Sequence, residues 1–315
     1  MTLALVPFAV DQSTAVALAE AALRSRLAPG EQMGDLWPPL DSAIRSARAT
    51  GGIVRSEGTA RGIVVWEPSG PLGVSVRLLY LAPPEASPES YRALLEVVER
   101  AAGPIAFAPG PLAGLSPEEE SALMRARGFA PFGRSEMALP PSVEVPNVPV
   151  PEGGKVRPVH ASDEAALARL HEVAYRHHLD RYLALEDLDP VRDANRELRE
   201  FFGGRYGELL SPGSSVATVD GRIVAAALSV RRTAQVLIID VMTDPDAQGR
   251  GFGRATLADA LASLRDHGER SIVLNVTEGN DRAVRLYSGL GFVRSMGPSK
   301  EWYDARRMAV RVPPA

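Results

Sequence analysis

The run from Asp244 to Arg254, Asp-Pro-Asp-Ala-Gln-Gly-Arg-Gly-Phe-Gly-Arg, constrains this chain most. It closes a hydrophobic segment, Val236 to Thr243, and opens a helix with an apolar stripe. Glycines at 249, 251 and 253 remove the side chains that would hold a ligand off the backbone. The first amides of the following helix are free donors on a partial positive charge, so a phosphate-like anion fits such a turn. Glycine also serves strand-to-helix turns for geometry alone, so the reading depends on what comes next.

Next comes a buried strand, Ser271 to Val276, which runs through Thr277-Glu278-Gly279 into a second helix. Asn280 suits its N-cap and Gly291 its end. Asn280, Ala283 and Tyr287 fall three and four residues apart and share one face. A Walker-type loop would need Lys-Ser or Lys-Thr after its last glycine, where this chain has Arg254-Ala255. A dinucleotide fingerprint would need an acidic residue at the end of the next strand, where Val276-Thr277 stands.

The order strand, Q-x-x-G-x-G, helix, strand, N-x-x-A-x-x-L-Y-x-x-x-G-F resembles the acetyl-coenzyme A core of the GNAT N-acetyltransferase superfamily, closely over Asp240 to Arg294 and loosely from Lys155 to Val312. The resemblance implies acetyl-CoA as cosubstrate. Amides of Gln248, Gly249, Arg250, Gly251, Phe252, Gly253 and Arg254 would hold its pyrophosphate, with Arg250 and Arg254 adding charge. The edge Val241-Met242-Thr243 would pair with the pantetheine amides, and Asn280, Arg282 and Ala283 would meet the arm from the other side. Tyr287 would protonate the leaving thiolate, unless it merely packs beneath the sheet. Asp240, a carboxylate inside an apolar strand, is the first candidate for the base that frees the attacking amine; a turn-pairing aspartate is the plain alternative. Family members with a clear base often carry Glu earlier on this strand, where Leu237 stands, so a water relay through Asp240 or Glu278 is equally open. Tyr175, His178, Tyr182 and Tyr303 are the expected substrate contacts. His177-His178 also reads as a surface pair, and Glu186, Asp187 and Asp189 as a solvated acidic face.

With 315 residues, 45% of them hydrophobic, the chain can bury the cores of two domains. A formal net charge of -4 argues against a nucleic-acid partner. The absence of cysteine excludes disulfides, thiolate metal sites and a cysteinyl acyl-enzyme, so acyl transfer would be direct. No metal-ligand spacing occurs, and no stretch approaches a membrane span, which leads us to expect a cytoplasmic protein, monomeric or homodimeric.

Residues 140–154 carry five prolines and two glycines and read as a semi-rigid connector. On either side the same order of elements recurs. Leu81 to Arg92 aligns with Thr243 to Arg254 at an offset of 162 (243 − 81), and Leu123 to Phe129 with Leu286 to Phe292 at 163 (286 − 123). So small a drift across a domain argues for duplication. In the first copy Glu89 and Tyr91 replace spaced glycines, Pro88 removes an amide and Met124 stands at the tyrosine position. The expected fold is therefore α/β (α+β): two tandem GNAT-like domains, each a mixed, mostly antiparallel sheet flanked by helices. Residues 1–139 form a degenerate copy, 140–154 a Pro-rich linker and 155–315 the catalytic domain. The expected function is transfer of an acetyl group from acetyl-CoA to a primary amine, on a small molecule or a peptide, in a ternary complex. A CoA-binding regulatory or scaffold protein without catalysis is the alternative.

Overall fold

The structure is a computed structural model, which describes residues 3–25, 37–45, 49–176, 178, 180–181, 189–232 and 235–306. The chain forms two compact units, Met1–Phe132 with Lys300–Ala315, and Gly133–Ser299.

The first unit runs β1 (Leu3–Val6), α1 (Gln12–Arg24), α2 (Trp37–Arg45), β2 (Thr50–Ser56), β3 (Thr59–Pro68), β4 (Val74–Leu81), α3 (Pro88–Ala102), β5 (Ile105–Pro109), α4 (Pro117–Ala126) and the start of β6 (Phe129–Leu139). Strands β1 to β4 pair antiparallel in sequence order, and β4 pairs parallel with β5. Alternate residues of each strand point to opposite faces. Ile53, Ile63, Val65, Leu78 and Tyr80 accordingly pack against Ala15, Val16 and Ala19 of α1. Their neighbours Val54, Val64, Leu79 and Leu81 pack with Tyr91, Leu94, Leu95 and Val98 of α3.

The second unit runs β7 (Gly154–Pro158), α5 (Glu164–Tyr175), α6 (Pro190–Phe202), β8 (Glu208–Leu209), β9 (Ser215–Val219), β10 (Arg222–Arg231), β11 (Val236–Thr243), α7 (Phe252–Asp266), β12 (Ile272–Thr277), α8 (Asp281–Ser288) and most of β13 (Val293–Asp304). Strand β7 pairs with β9, β9 with β10 and β10 with β11, all antiparallel, whereas β11 and β12 are parallel. Leu167 and Leu170 of α5 and Leu198 and Phe201 of α6 cover one face with Leu228, Leu237 and Val273. Leu257, Leu261 and Leu264 of α7 cover the other with Ile238, Ile272 and Leu274. Each unit is thus a mostly antiparallel sheet between two helical layers.

The unit boundaries differ from the expected 1–139, 140–154 and 155–315, because strand pairing overrides chain order. Arg134 to Leu139 of β6 pair antiparallel with β12. Glu301 to Tyr303 of β13 pair with Phe107 to Pro109 of β5. The proline-rich stretch 140–154 belongs to the second unit; its Val143, Val145 and Val148 pack on that unit's core. Trp302 is 1% exposed in the first unit's core. Its indole N–H donates to Oε1 of buried Glu120 at 2.6 Å, and the other oxygen accepts from the Leu112 amide at 3.0 Å. Truncating so large a buried side chain costs about 3–5 kcal/mol. Trp302→Ala should therefore lower the unfolding free energy by about that much, with lost hydrogen-exchange protection centred on β5; unchanged protection there would contradict the assignment of the C-terminal strand.

Candidate functional site

The parallel pairing of β11 with β12 covers only Val236–Ile238 against Ile272–Leu274, although both strands continue, to Thr243 and to Thr277. Their other edges are held: β12 pairs with β6 along its whole length, and β11 pairs with β10 up to Thr243. The β10 register slips between Leu228 and Ser229, leaving Ile239 as an extra residue in β11. A bulge bends its strand and re-aims the side chains beyond it. The two strands therefore part after Ile238, and Ile239 to Thr243 face Asn275 to Thr277 across a gap. This gap is part of a cavity of about 750 Å³.

The glycine turn lies at one end of this cavity. Gly249 (φ +76°) and Gly251 (φ +93°) adopt backbone conformations that side-chain-bearing residues rarely take. At Gly253 the constraint is space, since a Cβ there would lie 2.6 Å from Thr243 Oγ1. Gly251 is the N-cap of α7 and supplies no side chain to its amides. The first amides of the helix thus keep their donors for another partner. Behind the turn, Arg282 donates to Gln248 Oε1, and Gln248 Nε2 donates to the Thr243 carbonyl at 3.3 Å. Arg254 Nη2 reaches the Gly289 carbonyl at 3.0 Å. This network fastens α8 to the turn and to the end of β11.

Deeper in, Asp240 accepts a 2.5 Å hydrogen bond from Tyr175 Oη of α5. Burial lifts its pKa to about 7 against the pull of that bond, and the charge of Asp180 adds to the rise. Tyr287, 8% exposed, lines the same cavity from α8. Burial, then the charges of Asp240 and Asp180, hold its phenol well above the ordinary range, so it stays protonated. Asn280 caps α8, its Oδ1 accepting from the Ala283 amide at 3.1 Å. His178 is raised by its contact with Asp180, against the effect of burial. Asp180 in turn is lowered overall: hydrogen bonds with His178 and Thr277 outweigh a burial effect that runs the other way.

Of the residues expected from sequence, Tyr175, His178 and Asp240 line this cavity, as do Val241, Met242 and Thr243. So do Gln248, Gly249, Gly251, Phe252, Gly253 and Arg254 from the turn, and Asn280, Arg282, Ala283 and Tyr287 from α8. Arg250 is not among the lining residues; its guanidinium lies 5.1 Å from the centre of the Phe252 ring. Tyr303 belongs to the first unit, paired with Phe107. Tyr182, His177, Glu186 and Asp187 lie outside the described residues. Asp189 caps α6, accepting from the Val191 and Arg192 amides at 2.9 and 3.1 Å. Glu278 accepts from Ser135 and, at 2.8 Å, from Arg294, and does not line the cavity.

Sequence reasoning missed His171, Glu197 and Tyr206, which also line the cavity. His171 Nε2 lies 3.3 Å from Glu197 Oε2 and its ring centre 4.7 Å from that of Tyr175. Burial lowers His171 to about 4 and raises Glu197 to about 8, so at neutral pH this contact joins two uncharged groups. A signal was present: His171 follows Leu167 and Leu170 on the apolar stripe of α5, and Glu197 sits among Ala194, Leu198 and Phe201 on that of α6.

The first unit differs at the corresponding place. Ser87 caps α3 by accepting from the Ser90 amide at 3.2 Å. Tyr91, the counterpart of Gly253 in the repeat, is fully buried. Its hydroxyl accepts from the Leu81 amide at 3.2 Å and donates to the Ala113 carbonyl at 3.0 Å. A side chain of the unit itself thus bonds the end of the strand that matches β11.

The sheet is split between two parallel strands, with a bare glycine turn at the start of the next helix. Residues 172–292 match the sequence model described as the Acetyltransferase (GNAT) family. Over that stretch, which lies within the second unit, the chain is similar to that family. It is 33% identical over 213 residues to the mycothiol acetyltransferase of Thermomonospora curvata, covering 64% of this chain and 65% of that protein. To the mycothiol acetyltransferase of Cellulomonas flavigena it is 33% identical over 171 residues, 50% of this chain and 46% of that one. The chain therefore spans about half to two-thirds of the length of these two relatives. A GCN5-related N-acetyltransferase from Sphaerobacter thermophilus superposes with a TM-score of 0.60 at 17% identity, over 96% of this chain and 93% of that one. A tandem GNAT protein from the clavulanic acid biosynthesis pathway gives 0.52 at 16%, over 96% and 97%. These two show that the fold is shared.

The φ of +93° at Gly251 makes one stability test simple. A left-handed conformation costs a residue with a Cβ roughly 1–2 kcal/mol. Gly251→Ala should destabilise the ligand-free protein by that amount in urea unfolding, and an unchanged midpoint would contradict the turn geometry.

Proposed function

We propose that the second unit transfers an acetyl group from acetyl-CoA to a primary amine, on a small molecule or a peptide, within a ternary complex. The observation that carries this reading is the single cavity that joins the glycine turn, the parted strands and the pair Asp240 and Tyr287. The residues present fit the cosubstrate. A Cβ added at Gly249 would project into open space, so the bare backbone there leaves room for a diphosphate to approach the amides. The unpaired edge from Val241 to Thr243 offers backbone donors and acceptors to an amide-bearing arm. Acetyl-CoA supplies the thioester carbonyl that the amine attacks.

The residues of the chain handle the protons. An alkylamine is mostly protonated at neutral pH and must shed protons from nitrogen on its way to becoming an amide. Asp240, with its pKa lifted to about 7, is a fitting acceptor near that pH, and Tyr175 fixes its orientation. Tyr287 gives its phenolic proton to the departing sulfur. The two steps support each other. Once Asp240 is protonated, one of the charges that raise Tyr287 is gone, and the phenol becomes the better acid. On this reading the first unit holds no acyl carrier, because Tyr91 and Ser87 already bond the groups a carrier would use.

Incubation with acetyl-CoA and a panel of primary amines should release thiol in an amine-dependent way. Tyr287→Phe should slow it roughly 100-fold or more, the range expected for loss of a general acid. Thiol release that is independent of amine, or equal in the variant, would contradict the proposal; binding without turnover on a broad panel would favour a regulatory protein. Because Asp240 must be ionised to accept a proton, kcat/KM should fall as pH drops through about 7, and Asp240→Asn should remove that ionisation from the profile. A flat profile from pH 6 to 8 in the unsubstituted protein would exclude Asp240 as the base.

A further inference from the structure

We propose that Glu197 is a second proton acceptor of this site, which together with Asp240 takes up the two protons that an ammonium acceptor sheds on becoming an amide. The inference rests on the acetyl-transfer reading and deepens it. Conversion of R–NH3⁺ and a thioester into an amide and a thiol removes two protons from nitrogen and returns one to sulfur. One proton must leave before the N–C bond forms and one after it. The sulfur proton comes from Tyr287, so the cavity needs places for both protons from nitrogen and an exit for the net one. Asp240 alone provides one place.

Glu197 provides the other by position. It faces the same cavity from α6 that Asp240 faces from β11. The two carboxylates are bridged by packed side chains: Glu197 lies 3.3 Å from His171, the His171 ring is 4.7 Å from Tyr175, and Tyr175 donates to Asp240 at 2.5 Å. Among the described residues, Arg134, Arg181 and Arg232 also line the cavity. Asp240 and Asp193 oppose the ionisation of Glu197, as does Glu200, while Arg196 favours it. His171 stays neutral beside it, and Tyr206 on the turn after α6 is itself raised to about 12 in part by Glu197. Asp240 is faced by Tyr175, Asp180 and Tyr287. Burial and the charge of Asp240 leave Glu197 protonated at neutral pH in the free protein. An ammonium bound between the two carboxylates reverses this, because an opposite charge at close range favours the ionised form. Glu197 then receives the first proton from nitrogen and Asp240 the second. The Glu197 side chain is 25% exposed, enough to hand its proton to water, whereas the proton on Asp240 balances the one that Tyr287 gives to sulfur.

Two measurements on the full chain test this. The first is a carboxyl NMR titration with 13C-labelled glutamate, the Glu197 signal being assigned through Glu197→Gln. Its midpoint should lie on the alkaline side of neutrality and fall by at least about half a pH unit in Asp240→Asn, as expected for interacting sites. A midpoint in the ordinary glutamate range, or one that ignores Asp240→Asn, overturns the proposal. The second compares thiol release from acetyl-CoA at pH 7 with ethylamine and with 2,2,2-trifluoroethylamine, which arrive respectively protonated and largely neutral. Glu197→Gln should slow the ethylamine reaction roughly 10- to 100-fold, at the lower end of general-base effects, and change the trifluoroethylamine reaction by less than about threefold. Equal losses on both amines mean a structural role and overturn the proposal. A coupled titration with no thiol release from either amine overturns the acetyl-transfer reading itself, and the acceptor role with it.

Discussion

The candidate site of the second unit depends on where β11 and β12 stop pairing. Three residue pairs, Val236–Ile238 with Ile272–Leu274, hold the strands together, and the extra residue Ile239 then turns β11 away. Buried backbone groups normally find partners, so a sheet does not open without something to hold its other edges. Here β6 holds β12 and β10 holds β11. The opening is therefore stable in itself, and it aims the unpaired edge of one strand at a glycine turn whose helix lacks a side-chain cap.

The first unit repeats the same split and fills it. Strands β4 and β5 also pair parallel over a short stretch, but Tyr91 bonds the Leu81 amide there and Ser87 caps the next helix. Between the units the frame is retained, and what changes is who satisfies the exposed donors: in one unit its own side chains, in the other, on the proposed function, a ligand.

Much of this was legible in the sequence, for stated physical reasons. The glycine turn, the capped helix from Asn280 and the element order follow from periodicity and from residues whose backbone preferences are strong. Strand existence was legible and strand partnership was not. Nothing local in the sequence says that Trp302 finds its place against Glu120 and β5. His171 and Glu197 were missed because a charged residue in an amphipathic helix is read by default as solvent-facing. Their places on the apolar stripes of α5 and α6 show that polarity on a buried face is the more telling sign.

The most direct test of the account is calorimetric titration of the protein with acetyl-CoA, before and after Gly251→Val and Gly249→Val, with folding of each variant checked by circular dichroism. The account predicts a saturable heat for the unsubstituted protein that is lost when either glycine of the turn gains a branched side chain. No heat in the unsubstituted protein, or the same heat and affinity in folded variants, would contradict it.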